Sequence, residues 1–589
     1  MQVRTYGWVQ NPSDFNKLKL VVQILDSGSA HYRRLRDSTV QGVIHFDDVK
    51  RNLQSKLDLG EEIFTYKELV GTQRNALGEV ASRRADAVAD SLIQITVMPQ
   101  SYKTTGKNFT DNWTSQGYLS WALSLGFLEH SPETDTVRIT TLGREFSQSA
   151  VDPINDEYLL QAICSYPPAT RVMNILENAK NDKGEYIPLS KFQIGSQLGF
   201  KGEPGYTSYS HELAEQALIE STSPKEQNSL RQDFEGTSDK YARMIASWLT
   251  KLRLVQSVQT KIPNSLGEKI STYQRYLLTA KGVQQIKRIN GNSSHRRVQK
   301  HIPWAMLGTK VENLNYVRTR RAIILNYLLR STSMTKLREE LQAKGFNDGT
   351  TIIQADILGL NGIGIRISHS DDWQQLILKD SFKPIEIPSL NVTQEAIISE
   401  RATQKERLMQ STDLPMRFYE LIDIAYDGRR NRDFEMLTMD LLREGYGFET
   451  QLLGGGRKPD VIAYNDDFGI IVDTKAYGKG YHRSQPEEDK MVRYVEDNRE
   501  RDASVNNTQW WLGFPETLSY QSVYFLWVSS FFTGQFGSQL TNTAIRSRTN
   551  GAALGVENLL VGADKFLKGK LNHNQIQLKI RQDSEIIWD

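Results

Sequence analysis

GGGRKPDVIAYNDDFGIIVDTKAY, residues Gly454 to Tyr477, is the stretch whose reading decides the fold. Asp460 closes a glycine-rich, basic turn and opens the apolar run Val461-Ile462. The polar residues Asn465, Asp466 and Asp467 make a turn. Gly469-Ile470-Ile471-Val472 then has the β-branched character of a buried strand, which ends in Asp473-Thr474-Lys475. Side chains alternate along a strand, so Asp473 and Lys475 share one side. A neighbouring strand carrying Asp460 brings two carboxylates and one ammonium into a single pocket. Two carboxylates at that distance repel unless a cation lies between them. Oxygen donors, with no thiolate or imidazole pair nearby, suit a hard ion such as Mg²⁺. The lysine can then orient or deprotonate a water, which completes the minimum set for phosphodiester hydrolysis.

Pro459-Asp460 followed by Asp473-x-Lys475 resembles the PD-(D/E)XK nuclease motif. The same residues are also compatible with a β-hairpin carrying a surface salt bridge. His482 follows closely and reads either as a general base or as a surface loop histidine.

The chain has 589 residues, enough for roughly three to five domains. No apolar run reaches the length of a membrane span, and the N-terminus lacks a signal-peptide core. One cysteine, Cys164, excludes an intramolecular disulfide framework and fits a reducing cytoplasm. The balance of 72 basic against 70 acidic residues gives a net charge of only +2. Any electropositive surface must therefore come from local clusters. The candidates are Arg83-Arg84, His295-Arg296-Arg297 and Arg318-Thr319-Arg320-Arg321.

Outward from the central stretch, residues 1–150, 151–297 and 298–388 each read as helices followed by a short β-wing. This is the outline of a winged-helix-like module. In the first, Pro12 is placed to start a helix that buries Phe15, Leu18, Val22 and Leu25. Leu92 to Val97 reads as a strand, Trp113 to Leu125 as a helix, and Val137 to Thr140 as a strand. Gln10 and Asn11 lie just ahead of the first helix and carry the paired donors and acceptors that read adenine; they equally suit a helix cap. In the second segment, a helix beginning near Thr237 buries Tyr241, Ile245, Trp248 and Leu249. It leaves Lys240 and Arg243 on the other face, as a recognition helix does and as a solvated face does. Val255–Thr260 and Tyr273–Leu278 supply its wing. The third segment has helices over 316–329, 334–344 and 351–360, then a wing at 363–367. Residues 389–410 are polar and read as a linker. Residues 411–589 mix helices and strands, with helices over Phe418–Ala425, Asn431–Glu444 and Glu487–Arg499, and an apolar strand over Val523–Val528. The order is mixed α/β, as expected for a domain carrying the nuclease-like motif.

The whole chain is similar to the FokI-like type IIS restriction endonucleases. The resemblance rests on ordered blocks. These include Arg4-Thr5-Tyr6-Gly7-Trp8-Val9-Gln10-Asn11-Pro12, Asp111-Asn112-Trp113 and Ser238-Asp239-Lys240-Tyr241-Ala242-Arg243. They continue through Arg318-Thr319-Arg320-Arg321, Arg457-Lys458-Pro459-Asp460, Asp473-Thr474-Lys475 and Arg493-Tyr494-Val495-Glu496. The resemblance implies that Asp460, Asp473 and Lys475 are catalytic, with Asp460, Asp473 and Thr474 around Mg²⁺. It implies DNA reading by Gln10, Asn11, Arg84, Gln100, Trp113, Gln232, Glu235, Lys240 and Arg243 at the asymmetric site GGATG. Gln232 stands where the family has Asn, one methylene shorter, and Phe234 where it has Trp. Cleavage of both strands of double-stranded DNA, downstream of the site, implies a transient homodimer through the helix carrying Asp489 and Arg493. Those two residues can also pair along their own helix, four apart. Lys490 replaces an acidic residue there. Docking or regulation by the third segment and a companion DNA methyltransferase in the host are implied too. Two other readings stand beside this one: a strand-specific nicking endonuclease, and a non-catalytic winged-helix DNA-binding regulator. A methyltransferase is disfavoured, because no glycine-rich cofactor loop is present.

Overall fold

The computed structural model describes residues 2–83, 86–97, 112–221, 223–233, 235–263, 267–293, 297–311, 313–389, 400–453, 457–478, 480–482 and 484–588. They form two compact units. The first holds Met1–Phe200, Ser210–Gln227 and Thr237–Ala396; the second holds Lys201–Tyr209, Asn228–Gly236 and Ile397–Asp589. No described helix is long and apolar enough to cross a membrane.

In the first unit, helix Phe15–Gln23 is started by Asp14 rather than Pro12. The Asp14 carboxylate accepts from the N–H groups of Asn16 (3.0 Å) and Lys17 (3.2 Å). Phe15, Leu18, Val22 and Leu25 are all buried, as the helical spacing predicts. Strands β1 (Ile63–Thr65), β2 (Leu128–Ser131) and β3 (Thr136–Ile139) form an antiparallel sheet with β3 central. Leu92–Val97 is a helix, against the expected strand. Ile93-Gln94-Ile95-Thr96-Val97 alternates apolar and polar as a strand does, but Gln94 and Thr96 are buried too, bonded to the Asp90 N–H and to His31, so the alternation marks no exposed face. The Thr96 hydroxyl donates back to the Leu92 carbonyl (2.8 Å), a bond that only a helical turn provides. Helix Asn112–Ser124 follows, as expected.

Farther along, helix Thr237–Lys251 buries Tyr241, Ile245, Trp248 and Leu249. Strands β4 (Leu189–Ser190), β5 (Val255–Pro263) and β6 (Lys269–Leu278) make a second antiparallel sheet, order β4-β6-β5. Helices Leu314–Leu328, Met334–Ala343 and Thr350–Gly362 come next. The hairpin after them, β7 (Ile367–His369) with β8 (Leu376–Leu378), begins where the expected wing ends.

Arg318, Arg320 and Arg321 do not form the surface patch that their sequence suggests: all three are buried. Arg318 donates to the Gly308 carbonyl at 3.1 and 2.8 Å. Arg320 meets Asp356 at 2.7 Å and Asp348 at 2.6 Å, and Arg321 meets the other Asp356 oxygen at 2.7 Å. One carboxylate from another helix, Asp356, is shared by two guanidinium groups, and Asp348 supplies a second to Arg320. No local pattern reveals such a partner.

The second unit is built on a five-stranded sheet, order β15-β13-β11-β10-β9. Its strands are β9 (Glu449–Leu452), β10 (Val461–Tyr464), β11 (Gly469–Lys475), β13 (Val523–Ser529) and β15 (Gly551–Gly555). A separate small pair joins β12 (Tyr481–His482) to β14 (Phe532–Thr533). β11 runs antiparallel to β10 and parallel to β13. It is buried along nearly its whole length, which explains its unbroken Ile-Ile-Val run. Helix Asn431–Glu444 packs against β9, β10 and β11. Helix Gln485–Glu500 meets β11, β13 and helix Phe536–Ser547 over a core of Ile462, Ile471, Met491, Tyr494, Trp511 and Trp527. The expected helix at Phe418–Ala425 is a 3₁₀ turn (Met416–Glu420) running into Leu421–Ile424. Of the expected linker, 390–399 lies outside the described residues, and Glu400–Ser411 is a helix.

Asp356→Ala takes the shared carboxylate from two buried guanidinium groups, leaving Arg320 with Asp348 and Arg321 with the Leu307 carbonyl. It is expected to cost about 3–5 kcal/mol in urea unfolding of the full chain. A loss below about 1 kcal/mol would show that Arg320 and Arg321 do not depend on it.

Candidate active site

Register assembles the site. Val461 pairs with Val472 across β10 and β11. Continuing the antiparallel ladder by one residue sets Asp460 opposite Asp473. The Thr474 N–H donates to Asp460 Oδ2 at 2.7 Å, and its hydroxyl donates to the same oxygen at 3.1 Å. Asp460 is thereby aimed by the strand it faces. Ile471, Asp473 and Lys475 share one face of β11, and Ile471 belongs to the core under helix Gln485–Glu500. Two charged side chains thus continue an apolar row. Lys475 Nζ lies 2.5 Å from Asp473 Oδ2. The Lys475 carbonyl, at the strand end, accepts from the Ser529 hydroxyl at 2.6 Å.

Burial dominates the electrostatics. Asp473 is only 4% exposed. Burial, reinforced by Asp460, pushes its carboxyl up to about 7, although Lys475 pulls the other way. Burial and Glu435 push Asp460 up to about 6. Burial also opposes the charge on Lys475, but Asp473, Asp460 and Glu487 outweigh it and keep the ammonium firmly protonated. Two buried carboxylates held above their ordinary range are short of positive charge, which a divalent cation would supply. All the candidate donors are oxygens. Among the described residues no group of three or more His, Cys, Asp or Glu could hold a metal. A pair of carboxylates completed by water is what Mg²⁺ commonly takes, so the residues fit. Asp460 and Asp473 would hold it. Thr474 acts here through its N–H and hydroxyl, both spent on Asp460.

Sequence reasoning missed two residues at this site. Glu487 Oε2 lies 2.9 Å from Lys475 Nζ. Its only local signal is an acidic residue in a first helical turn after Pro486, a common dipole partner. Glu435, held by Arg432 at 2.5 Å, sits within the field of Asp473 and Asp460. It reads in sequence as one more charge on an amphipathic helix. His482 is exposed on β12.

The candidate DNA readers are brought together in part. Gln10 is half-buried, and its side chain bonds the Tyr241 side chain. The Trp8 and Tyr241 rings lie 4.8 Å apart. Trp248 Nε1 donates to the Pro12 carbonyl at 2.9 Å and stacks on Trp121 at 4.8 Å. Gln10 and exposed Asn11 are thus fixed against the helix that bears half-buried Lys240 and exposed Arg243. Trp113 is 51% exposed at the start of the Trp121 helix. Glu235 is half-buried and falls, with Gln232, in the second unit. The Gln232 side chain, Arg84, Gln100 and the glycines 454–456 lie outside the described residues. Asp489 accepts from Arg546 at 2.7 Å and from Gln485 at 3.2 Å, rather than pairing with Arg493. Arg493 Nε is buried without a hydrogen-bond partner among the described residues.

Comparison with known proteins agrees with this architecture. Four family descriptions match in order. They are the FokI recognition domain subdomain 1 (residues 4–149) and subdomain 2 (155–294), the FokI D3 domain (307–372), and the FokI cleavage domain (398–587). The type II restriction enzyme FokI of Planomicrobium okeanokoites is 36% identical over 98% of both chains. The type II restriction enzyme StsI of Streptococcus sanguinis is 26% identical over 98% of this chain and 94% of its own. The solved structure of FokI superposes with a TM-score of 0.89 at 35% identity, covering all of both chains. FokI bound to DNA superposes with a TM-score of 0.90. Recognition subdomains followed by a cleavage domain define a type II restriction endonuclease. The chain belongs to the FokI family.

The raised carboxylates give the site a pH signature. Between about pH 4 and 7 the folded chain holds protons that the unfolded chain has released. The stability that these groups contribute is present at the acid end and lost as pH rises through 6–7. A cation needs both carboxylates ionised, so its binding releases protons in that window. The Mg²⁺-induced rise in Tm is therefore expected to be larger at pH 7.5 than at pH 5.5. Equal increments would contradict this assignment.

Proposed function

We propose that the chain is a type IIS restriction endonuclease. It binds the asymmetric site GGATG in double-stranded DNA and hydrolyses both strands at a fixed distance downstream, with Mg²⁺ as cofactor. The observation that carries this reading is the gathering of Asp460, Asp473 and Lys475 at the ends of two paired strands. It is supported by a full-length likeness to FokI, including FokI bound to DNA. We read residues 1–150, 151–297 and 298–388 as three winged-helix-like segments, 389–410 as linker and 411–589 as nuclease. Lys240 and Arg243 suit guanine, Gln10 and Asn11 suit adenine, and Trp113 offers an apolar face. Arg84, Gln100, Gln232 and Glu235 complete the readers by family resemblance. The setting is the bacterial cytoplasm, with a companion methyltransferase protecting host sites.

Each residue has a part in the chemistry. Asp460 and Asp473 would hold the cation, with Thr474 beside it and keeping Asp460 aimed. When bound, Mg²⁺ supplies positive charge to the scissile phosphate and acidifies water. Lys475, beside Asp473 at the strand end, orients or deprotonates the attacking water. In-line attack leaves 5′-phosphate and 3′-hydroxyl ends.

One site cuts one strand, so a double-strand break calls for a second copy, paired through the Asp489 and Arg493 helix. A second reading, a nicking enzyme, draws support from the Asp489–Arg546 bond within the chain and from Lys490. The rate of linearisation of a one-site plasmid separates the two. It should rise more steeply than first order in protein if copies pair. A first-order rate that stops at nicked circles would favour the nickase. A pure DNA-binding regulator would not keep this set of Asp, Asp and Lys together.

Asp473→Ala is expected to abolish cleavage while gel-shift binding to a GGATG duplex persists. Sequencing of the wild-type cut ends should show one fixed offset. Full-rate cutting by the variant would sink the assignment.

A further inference from the structure

Lys475 is shared between two carboxylates from different elements. Its Nζ lies 2.5 Å from Asp473 on its own strand and 2.9 Å from Glu487 on helix Gln485–Glu500. The second contact is an ion pair with no aligned hydrogen bond, and Glu487 Oε2 is buried without any other partner among the described residues. Its other oxygen, Oε1, accepts from Lys490 Nζ at 2.7 Å. Lys490 therefore fixes the carboxylate and leaves Oε2 turned to Lys475. Lys475 and Glu487 are both largely buried, at 13% and 17% side-chain exposure, so neither charge is well screened by water.

This arrangement meets a conflict built into the motif. Asp473 is wanted by Lys475 and, in the function proposed above, by a divalent cation. An ammonium lying against Asp473 competes for the carboxylate that the cation needs. We propose that Glu487 is a positioning residue that receives the Lys475 ammonium and so frees Asp473 for the cation. The displacement is short, since Nζ already lies within contact of both carboxylates. No charge is left unpaired at any point. Lys475 stays near the reacting phosphate, tethered to the helix rather than to the metal ligand. The role needs a carboxylate at Glu487 and an ammonium at Lys475, and it vanishes if either is absent.

The inference rests on Asp473 as a metal ligand, so the test separates the two ideas. Mn²⁺ is titrated into the full-length chain without DNA, and free ion is read by electron paramagnetic resonance. Asp473→Asn should remove the tightest site. If it binds as wild type does, the metal-site reading falls and takes this inference with it. Glu487→Gln should weaken Mn²⁺ binding about tenfold, within the range of couplings between contacting charges. In a Lys475→Met background the same change should have almost no effect, because no ammonium needs relocating. An equal weakening in both backgrounds would mean that Glu487 acts only through its distant field, and would overturn the proposal. Glu487→Asp keeps the charge and shortens the reach, so it should also weaken binding; unchanged affinity would count against the contact. Thermal melts of each variant verify the fold.

Discussion

Everything in the second unit answers to one constraint: two carboxylates are held in a place that would rather hold none. Asp473 continues a row of β-branched residues at the heart of a sheet, and Asp460 stands across from it. Burying one unpaired carboxylate is costly, and burying two side by side costs more. The surroundings offset this with directed groups. Thr474 donates twice to Asp460, Lys475 meets Asp473, and Glu487 balances Lys475. What remains is a deficit of positive charge at a fixed point. A site in this condition favours a small, doubly charged visitor and gives it oxygen donors already aimed.

The recognition side uses a different material. There the joining elements are aromatic: Trp8 against Tyr241, Trp121 against Trp248, with the indole N–H of Trp248 on the Pro12 carbonyl. Large rings fix geometry at low entropic cost, because few torsions are frozen. They tie the turn carrying Gln10 and Asn11 to the helix carrying Lys240 and Arg243. Side chains from two sequence-distant segments are thereby held beside one another, as the proposed reading of DNA requires. Truncating Trp248 would disturb both segments at once.

Much of this is legible in the sequence, for physical reasons that differ by element. The strand Gly469–Lys475 and the helix Asn431–Glu444 are set by local patterning, and the structure follows it closely. Asp460, Asp473 and Lys475 can be foreseen because strand alternation and one antiparallel turn determine their meeting. Leu92–Val97 misleads because its apolar/polar alternation imitates a strand, while its polar members Gln94 and Thr96 are buried on partners rather than exposed. Arg318, Arg320 and Arg321 mislead because their partner, Asp356, comes from another helix. Glu487 is invisible for the same reason: its importance lies in a lysine on a strand that its own helix crosses. Local rules identify what a residue is suited for. They do not identify what folding will set against it.

The Ser529 hydroxyl on the Lys475 carbonyl carries a consequence for when the chain becomes dangerous. β13 and β15 are the last strands made, and β11 is registered against β13 through seven consecutive residues. A slip of one residue would turn Asp473 and Lys475 to the opposite face. During synthesis, the segments that grip DNA emerge long before the strands that complete the cutting edge. The edge that carries Asp473 and Lys475 is thereby among the last parts of the fold to be completed.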